Sequence, residues 1–234
     1  MLGQAPLVLV PGLLCDRALW QHQAVHLSDI AEIKVADVTG HDSMAAMAEA
    51  VLSQAPPGKF ALAGLSMGGY VSLEIMRRAP ERVFRLALLD TSARKDTEEQ
   101  RQRRLAFISQ CEQGDFKGVT NRLLPFLIHP DRLGDKALVE EIMAMSQRVG
   151  RDAYLREQKA IMSRPDSRPR LGEIRVPTLV LVGRQDALTP FEVHQELASR
   201  ISRAKFVAIE DCGHMSPMER PEAVTAVMRY WLQD

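Results

Sequence analysis

The pentapeptide Gly64-Leu65-Ser66-Met67-Gly68 fits G-x-S-x-G, a spacing that can present a serine hydroxyl as a nucleophile. It directly follows the apolar run Phe60–Ala63 and opens a helical pattern. That is the strand–turn–helix setting of a nucleophile elbow. The sharp turn strains the serine backbone and lifts its hydroxyl off the sheet, while glycine on either side lets strand and helix pass closely. The plainer alternative is a glycine-rich turn in which Ser66 only caps the helix. A serine hydroxyl alone is a weak nucleophile; it needs a base, and the base needs an orienting group.

Six histidines compete for the role of base. His22 and His26 are one helical turn apart, but no Glu follows His22 as a zinc-protease motif requires, so surface positions are expected. His41 lies in a loop before a helix, and His129 and His194 lie in or beside helical segments without a partner pattern. His214 differs: it lies just beyond the last apolar run and before the final helical pattern. A loop there projects onto the sheet edge that carries Ser66. For the orienting acid, Asp186 follows the run Thr178–Val182 onto the same edge. Asp90 is a rival because it follows the run Arg85–Leu89. Asp211 is a weaker one, since a loop of three residues to His214 would have to fold back sharply.

The elements that must position these residues are legible as short apolar runs: Leu7–Val10, Ile33–Asp37, Phe60–Ala63, Arg85–Leu89, Thr178–Val182 and Lys205–Ile209. Each is too short for a buried helix, and near-continuous apolarity is what strands covered on both faces show. Four of the five intervals between them hold 21 or 22 residues, enough for a loop, a helix of about three turns and a second loop. Helical patterns fill them at Met44–Leu52, capped by Ser43, at Met67–Arg78, and at Phe191–Ile201 with Pro190 in the first turn. A last one covers Glu222–Leu232. The fifth interval holds 88 residues. Its excess, roughly residues 94–170, carries helical patterns near Thr97–Gln110, Asp115–Leu124, Lys136–Arg148 and Asp152–Ser163. Insertions of this kind tend to sit at the ligand-binding end of an open α/β sheet. The expected organisation is a sheet domain from residues 1–93 and 171–234, with a helical cap at 94–170.

The chain order Ser66, Asp186, His214 is the order associated with α/β-hydrolases. The sequence resembles the α/β-hydrolase-fold serine hydrolases, in particular the small cap-bearing esterase, enol-lactonase and cofactor-free haloperoxidase-like group. The matching pieces are Leu7–Gly12, Gly64–Gly68, Gly183–Asp186 and Gly213-His214, with Glu219-Arg220-Pro221 following. They span the sheet domain and omit the cap. The resemblance implies an α/β fold of about six mostly parallel strands flanked by helices, in the order 2-1-3-4-5-6. Relatives usually begin with an antiparallel hairpin before the first strand; here that strand starts at residue 7. The usual His-Gly is Pro11-Gly12, but the implied task asks only for a backbone N–H. That N–H, from Leu13, forms an oxyanion hole with the N–H of Met67. Trp20 matches a tryptophan common in relatives, with packing as its expected role.

Composition narrows the rest. The chain has 234 residues and is 46% hydrophobic, enough for a sizeable core. Thirty basic residues balance thirty acidic ones, and without a basic excess no nucleic-acid partner is expected. Cys15, Cys111 and Cys212 are odd in number and scattered, against a disulfide framework or a CxxC metal site and in favour of a reducing compartment. No apolar run approaches a membrane span, and the start MLGQAPLVLVPG lacks a basic n-region. A cytoplasmic enzyme is expected, with neither cofactor nor metal. Its substrate is a small ester or lactone, cleaved through an acyl-enzyme with Ser66, His214 and Asp186 in the three roles. Phe107, Phe126, Leu127, Met143 and Met145 of the cap are candidates to line the pocket, with helix packing the plainer reading of each. The same triad in relatives also serves C–C bond cleavage, lyase chemistry or perhydrolysis, and a non-catalytic binding protein of this fold is the third alternative.

Overall fold

The computed structural model describes residues 4–114 and 116–234. Six strands form one sheet: β1 (Ala5–Val10), β2 (Ala31–Val35), β3 (Phe60–Leu65), β4 (Val83–Leu89), β5 (Thr178–Gly183) and β6 (Ala204–Ile209). Their order is β2-β1-β3-β4-β5-β6, and every pairing is parallel. The expected order is therefore observed, with parallel pairing throughout rather than for most strands. Winding reverses between β1 and β3, the place where open α/β sheets bind ligands at the carboxyl ends of their strands.

Period-two alternation sorts the strands between two cores. Leu7, Leu9, Ala61, Ala63, Leu65, Leu89 and Leu181 face one of them. There they meet Trp20 and Leu27 at the ends of α1 (Gln21–His26) and Val224, Met228 and Trp231 of α9 (Pro221–Gln233). Val8, Val10, Leu62, Leu88 and Val180 face the other. That face is covered by α2 (Met44–Gln54), α3 (Met67–Arg78) and α7 (Phe191–Arg200). Burial on both faces explains why these strands read as unbroken apolar runs. The edge strand β2 is the exception, starting and ending two residues before the expected Ile33–Asp37. Just beyond β2 the Ala36 N–H still donates to Leu9 O at 2.9 Å, and the Asp37 N–H donates to the Gln54 side chain at 2.9 Å.

Ser43 caps α2 as expected, its hydroxyl accepting from the Ala46 N–H. Pro190 precedes α7 at its N-cap instead of entering the first turn.

Between β4 and β5 lie α4 (Glu98–Glu112), the short α5 (Leu124–Leu127) and α6 (Lys136–Met162). The expected pair of helices at 136–148 and 152–163 is one run broken at Gly150, whose φ of 79° and ψ of 176° are not helical. The expected helix Asp115–Leu124 is not formed. Asp115 lies outside the described residues, and 116–123 is a loop that turns at Gly118 (φ 63°) with Ser146 and Gln147 packed against it. The two halves of α6 join different cores: Leu138, Ile142 and Met145 the first, Ala160 and Ile161 the second. The short α8 (Ser216–Glu219) completes the chain before α9. No helix among the described residues is long and apolar enough to cross a membrane.

Candidate active site

Ser66 stands between β3 and α3 with φ 53° and ψ −113°, a strained conformation for a side-chain-bearing residue. The surroundings hold it there. Its N–H donates to Leu89 O at 3.0 Å, and the Thr91 hydroxyl donates to its carbonyl at 2.7 Å. Glycine is required on both sides: a Cβ on Gly64 would overlap the Gly68 carbonyl, and one on Gly68 would overlap the Val10 carbonyl. Ser66 is therefore an elbow residue, not merely a helix cap.

The loop after β1 touches this elbow. A Cβ on Gly12 would lie 3.5 Å from Ser66 Cβ, so the Gly12-Leu13 backbone lies alongside the serine. Gly12 O accepts from the Cys15 N–H at 3.1 Å. Peptide planarity then turns the Leu13 N–H of the same unit the opposite way. Met67 is the first residue of α3, and the first N–H groups of a helix have no intrahelical acceptor. Both expected oxyanion donors thus border Ser66.

Asp186 and His214 meet directly. Asp186 follows β5, His214 follows β6, and His214 Nδ1 lies 2.8 Å from Asp186 Oδ2 with both side chains buried. The carboxylate fixes the proton on Nδ1 and leaves Nε2 as the basic nitrogen. Asp186 also accepts from the N–H groups of Leu188 and Thr189 and from the Thr189 hydroxyl. Burial raises its pKa, but the His214 charge and these donors outweigh burial, leaving it below the usual carboxylate range. For His214 burial acts downward and Asp186 more than offsets it, so its pKa is raised. Ser66 Oγ makes no hydrogen bond to His214 in this structure. Contacts of this kind tighten when substrate binds.

Four residues outside the expected set complete the surroundings. Asp90 is fully buried; it accepts from Gly183 N–H and pairs with the Ser216 hydroxyl. Burial, reinforced by the Asp186 charge, holds its carboxyl well above the usual range. Glu219 accepts from the N–H groups of Gly213, Met215 and His129, so one carboxylate braces the residues on both sides of His214. His194 is buried and accepts from Thr91 N–H at 2.7 Å; burial lowers its pKa to about 4, so it is neutral. Glu157 of α6 is buried against the Leu14 backbone. Asp211 is exposed beside Arg220 and takes no part.

Of the other histidines, His22 pairs with Thr225 and stacks on His26, and His129 accepts from the Asp131 N–H. Trp20 is fully buried, as a packing residue is. Among the residues expected to line a pocket, Met145 is core, Met143 and Leu127 pack against the core, and Phe107 and Phe126 are exposed. The Leu127 carbonyl accepts from the N–H groups of His214 and Met215 at 2.9 and 3.1 Å. No group of three His, Cys, Asp or Glu among the described residues is arranged to hold a metal ion.

This arrangement has relatives. A pimeloyl-[acyl-carrier protein] methyl ester esterase of Nitrosomonas europaea is 27% identical over 237 residues, covering 94% of this chain and 93% of its own. A thermophilic esterase of Thermogutta terrifontis superposes with a TM-score of 0.90 at 32% identity, over 99% of this chain and 90% of that one. An enol-lactonase of Burkholderia xenovorans gives a TM-score of 0.89 at 24% identity, over 99% and 92%, a likeness of fold. The model of the α/β hydrolase fold family matches residues 5–221. On its topology, its elbow and that match, the chain belongs to the α/β hydrolase fold family.

Proposed function

We propose that the protein is a serine hydrolase that cleaves a small carboxylic ester or lactone. Ser66 attacks the acyl carbon while His214 Nε2 takes its proton. Asp186 holds the imidazole in the productive tautomer and offsets the imidazolium charge. The N–H groups of Leu13 and Met67 receive the developing oxyanion. His214 then protonates the leaving alcohol, and water, activated by the same nitrogen, releases the acid from the acyl-enzyme. No step calls on a metal or cofactor.

The observation that carries this reading is the buried 2.8 Å contact between His214 and Asp186, in a chain whose elbow serine stands on the same sheet edge. The names of the relatives agree: they include a methyl ester esterase and a thermophilic esterase. In this reading residues 94–170 form a cap over a hydrolase core of residues 1–93 and 171–234. Its contacts support that, since Leu127 and Glu157 both reach loops that carry site residues. Cys15, Cys111 and Cys212 are buried and unpaired, which suits the reducing cytoplasm. The partner is a small acyl compound.

A fluorophosphonate probe followed by a panel of p-nitrophenyl esters and lactones tests the proposal. Labelling at Ser66 and turnover of the panel are expected, both abolished in Ser66→Ala at little cost in Tm. An adduct on another serine, or labelling that survives Ser66→Ala, would overturn the assignment.

A further inference from the structure

Leu14 is held at φ 59°, where a branched side chain is strained. It is the third residue of the turn closed by Cys15 N–H and Gly12 O, a place where positive φ normally falls to Gly or Asn. Two side chains clamp the peptide between Leu13 and Leu14. The Cys15 thiol donates to Leu13 O at 3.4 Å, and the Leu14 N–H donates to Glu157 Oε2 at 3.0 Å. Glu157 comes from α6, 143 positions away in sequence, and is fully buried. Its second oxygen, Oε1, is buried with no hydrogen-bond partner. The neighbouring cation on α6, Arg156, gives its Nε–H to Thr39 O instead.

A carboxyl group with one accepting oxygen and one unpaired oxygen in a dry site suits the neutral acid, because an anion there lacks donors. The charges around Glu157 agree. Burial, helped by Asp37 and only partly opposed by the Leu14 N–H and Arg156, pushes its pKa up to about 8. Burial also pushes the adjacent Cys15 thiol far up, with Glu157 adding to the effect. A neutral acid keeps an acceptor on the Leu14 N–H without setting an anion beside a loop that must attract an oxyanion.

We propose that Glu157 is a positioning residue for the oxyanion hole, holding the Gly12–Cys15 turn in the strained form that aims the Leu13 N–H. This rests on the reading of Ser66 and Leu13 given above. Without the clamp, Leu14 relaxes to negative φ by rotating the Leu13–Leu14 peptide, and the turn that orients Leu13 loosens.

The test compares Glu157→Leu, Glu157→Asp and Glu157→Gln on a p-nitrophenyl ester, with amide hydrogen exchange followed at Leu14. Misplacing a transition-state donor acts on kcat, so the Leu variant loses about 30-fold in kcat with KM changed less than about threefold. The Asp variant withdraws the acceptor by one methylene and shows the same kcat-selective loss, which covers the case of a Leu variant that does not fold. The Gln variant keeps a neutral acceptor of the same shape and stays within about fivefold of wild type. Exchange at Leu14 rises in the first two variants and not in the third. Unchanged kcat in a folded Leu or Asp variant overturns the inference, as does a loss confined to KM or an equal loss in Gln. Fluorophosphonate labelling of wild type separates the two readings. Wild type unlabelled at Ser66 overturns the proposed function, whereas labelled wild type with an undiminished Asp variant overturns only the clamp.

Discussion

Asp90 pairs with the hydroxyl of Ser216, two residues beyond His214, while its other oxygen accepts from Gly183 N–H. Both oxygens are occupied by structural partners at the end of β4, and it is Asp186, at the end of the next strand, that reaches the imidazole. The two buried carboxyls therefore divide the work: one ties the histidine loop to the sheet, the other faces His214.

Replacing them separates these tasks. Asp186→Asn lowers kcat by on the order of 10³–10⁴ with a smaller change in KM, because the wrong imidazole tautomer results. Asp90→Asn supplies a neutral group of the same shape to Gly183 and Ser216, and costs less than about tenfold. Asp211→Asn leaves kcat unchanged. Steady-state kinetics on one ester decide this, and a crippled Asp90→Asn beside a mild Asp186→Asn would show that the acid lies on β4.

The rate should depend on pH through His214. The free enzyme needs neutral Nε2, and the folded pKa of His214 is raised, so kcat/KM falls on acidification with a midpoint above the ordinary histidine value. In Asp186→Asn burial acts without the opposing carboxylate, and the midpoint moves to lower pH. Because the folded pKa is the higher one, protonated His214 adds stability that is present below its unfolded pKa and lost as pH rises through the folded one. Asp186, whose pKa is lowered, instead loses its share as pH falls through its folded value. A wild-type limb at or below the ordinary value would contradict the coupling.

Glu157 gives a trend of the same sign as His214. Its folded pKa of about 8 exceeds the unfolded value of 4.5, so the folded state holds an extra proton between these limits. Wild type accordingly loses stability as pH rises from about 4.5 to about 8, by on the order of several kcal/mol. Glu157→Gln does not titrate, so its urea midpoint gains on wild type across that window. Parallel profiles for the two proteins would mean that Glu157 is ionised when folded.

Glu219→Ala strands the N–H groups of Gly213 and His129, while Met215 N–H keeps the Leu127 carbonyl. Unsatisfied buried donors cost about 1–3 kcal/mol each, so a loss of at least about 2 kcal/mol is expected in urea unfolding. Residual activity should show a lowered kcat, since the brace on His214 is gone. A change below about 1 kcal/mol would mean that the loop is held by other contacts.

The strands and the elbow were legible because they are local, whereas the strand order came with the resemblance to the hydrolase family. Phe60–Leu65 is a continuous apolar run ending in glycine and serine, and the pattern of such runs at near-equal intervals carries the βα rhythm. Asp186 and His214 were legible from their places after strands. Glu157 was not: a glutamate in a helical pattern reads as a solvated residue, and its partner Leu14 is 143 positions away. Gly118 turns the expected Asp115–Leu124 helix into a loop for a similar reason, since what surrounds it are side chains of α6. The role of Asp90 also needed tertiary structure, because two buried carboxyls after adjacent strands look alike until their partners are seen.

The Leu127 carbonyl receives the backbone N–H groups of both His214 and Met215. The loop carrying His214 is thus built on main chain from the segment between β4 and β5, 87 positions earlier. Such a bond is indifferent to side chains, so substitutions can change the side chains around it while this anchor stays in place. Exchanging the whole segment for one from another hydrolase is a different matter. A chimera must reproduce a carbonyl at that point, or the loop that carries His214 loses its main-chain anchor.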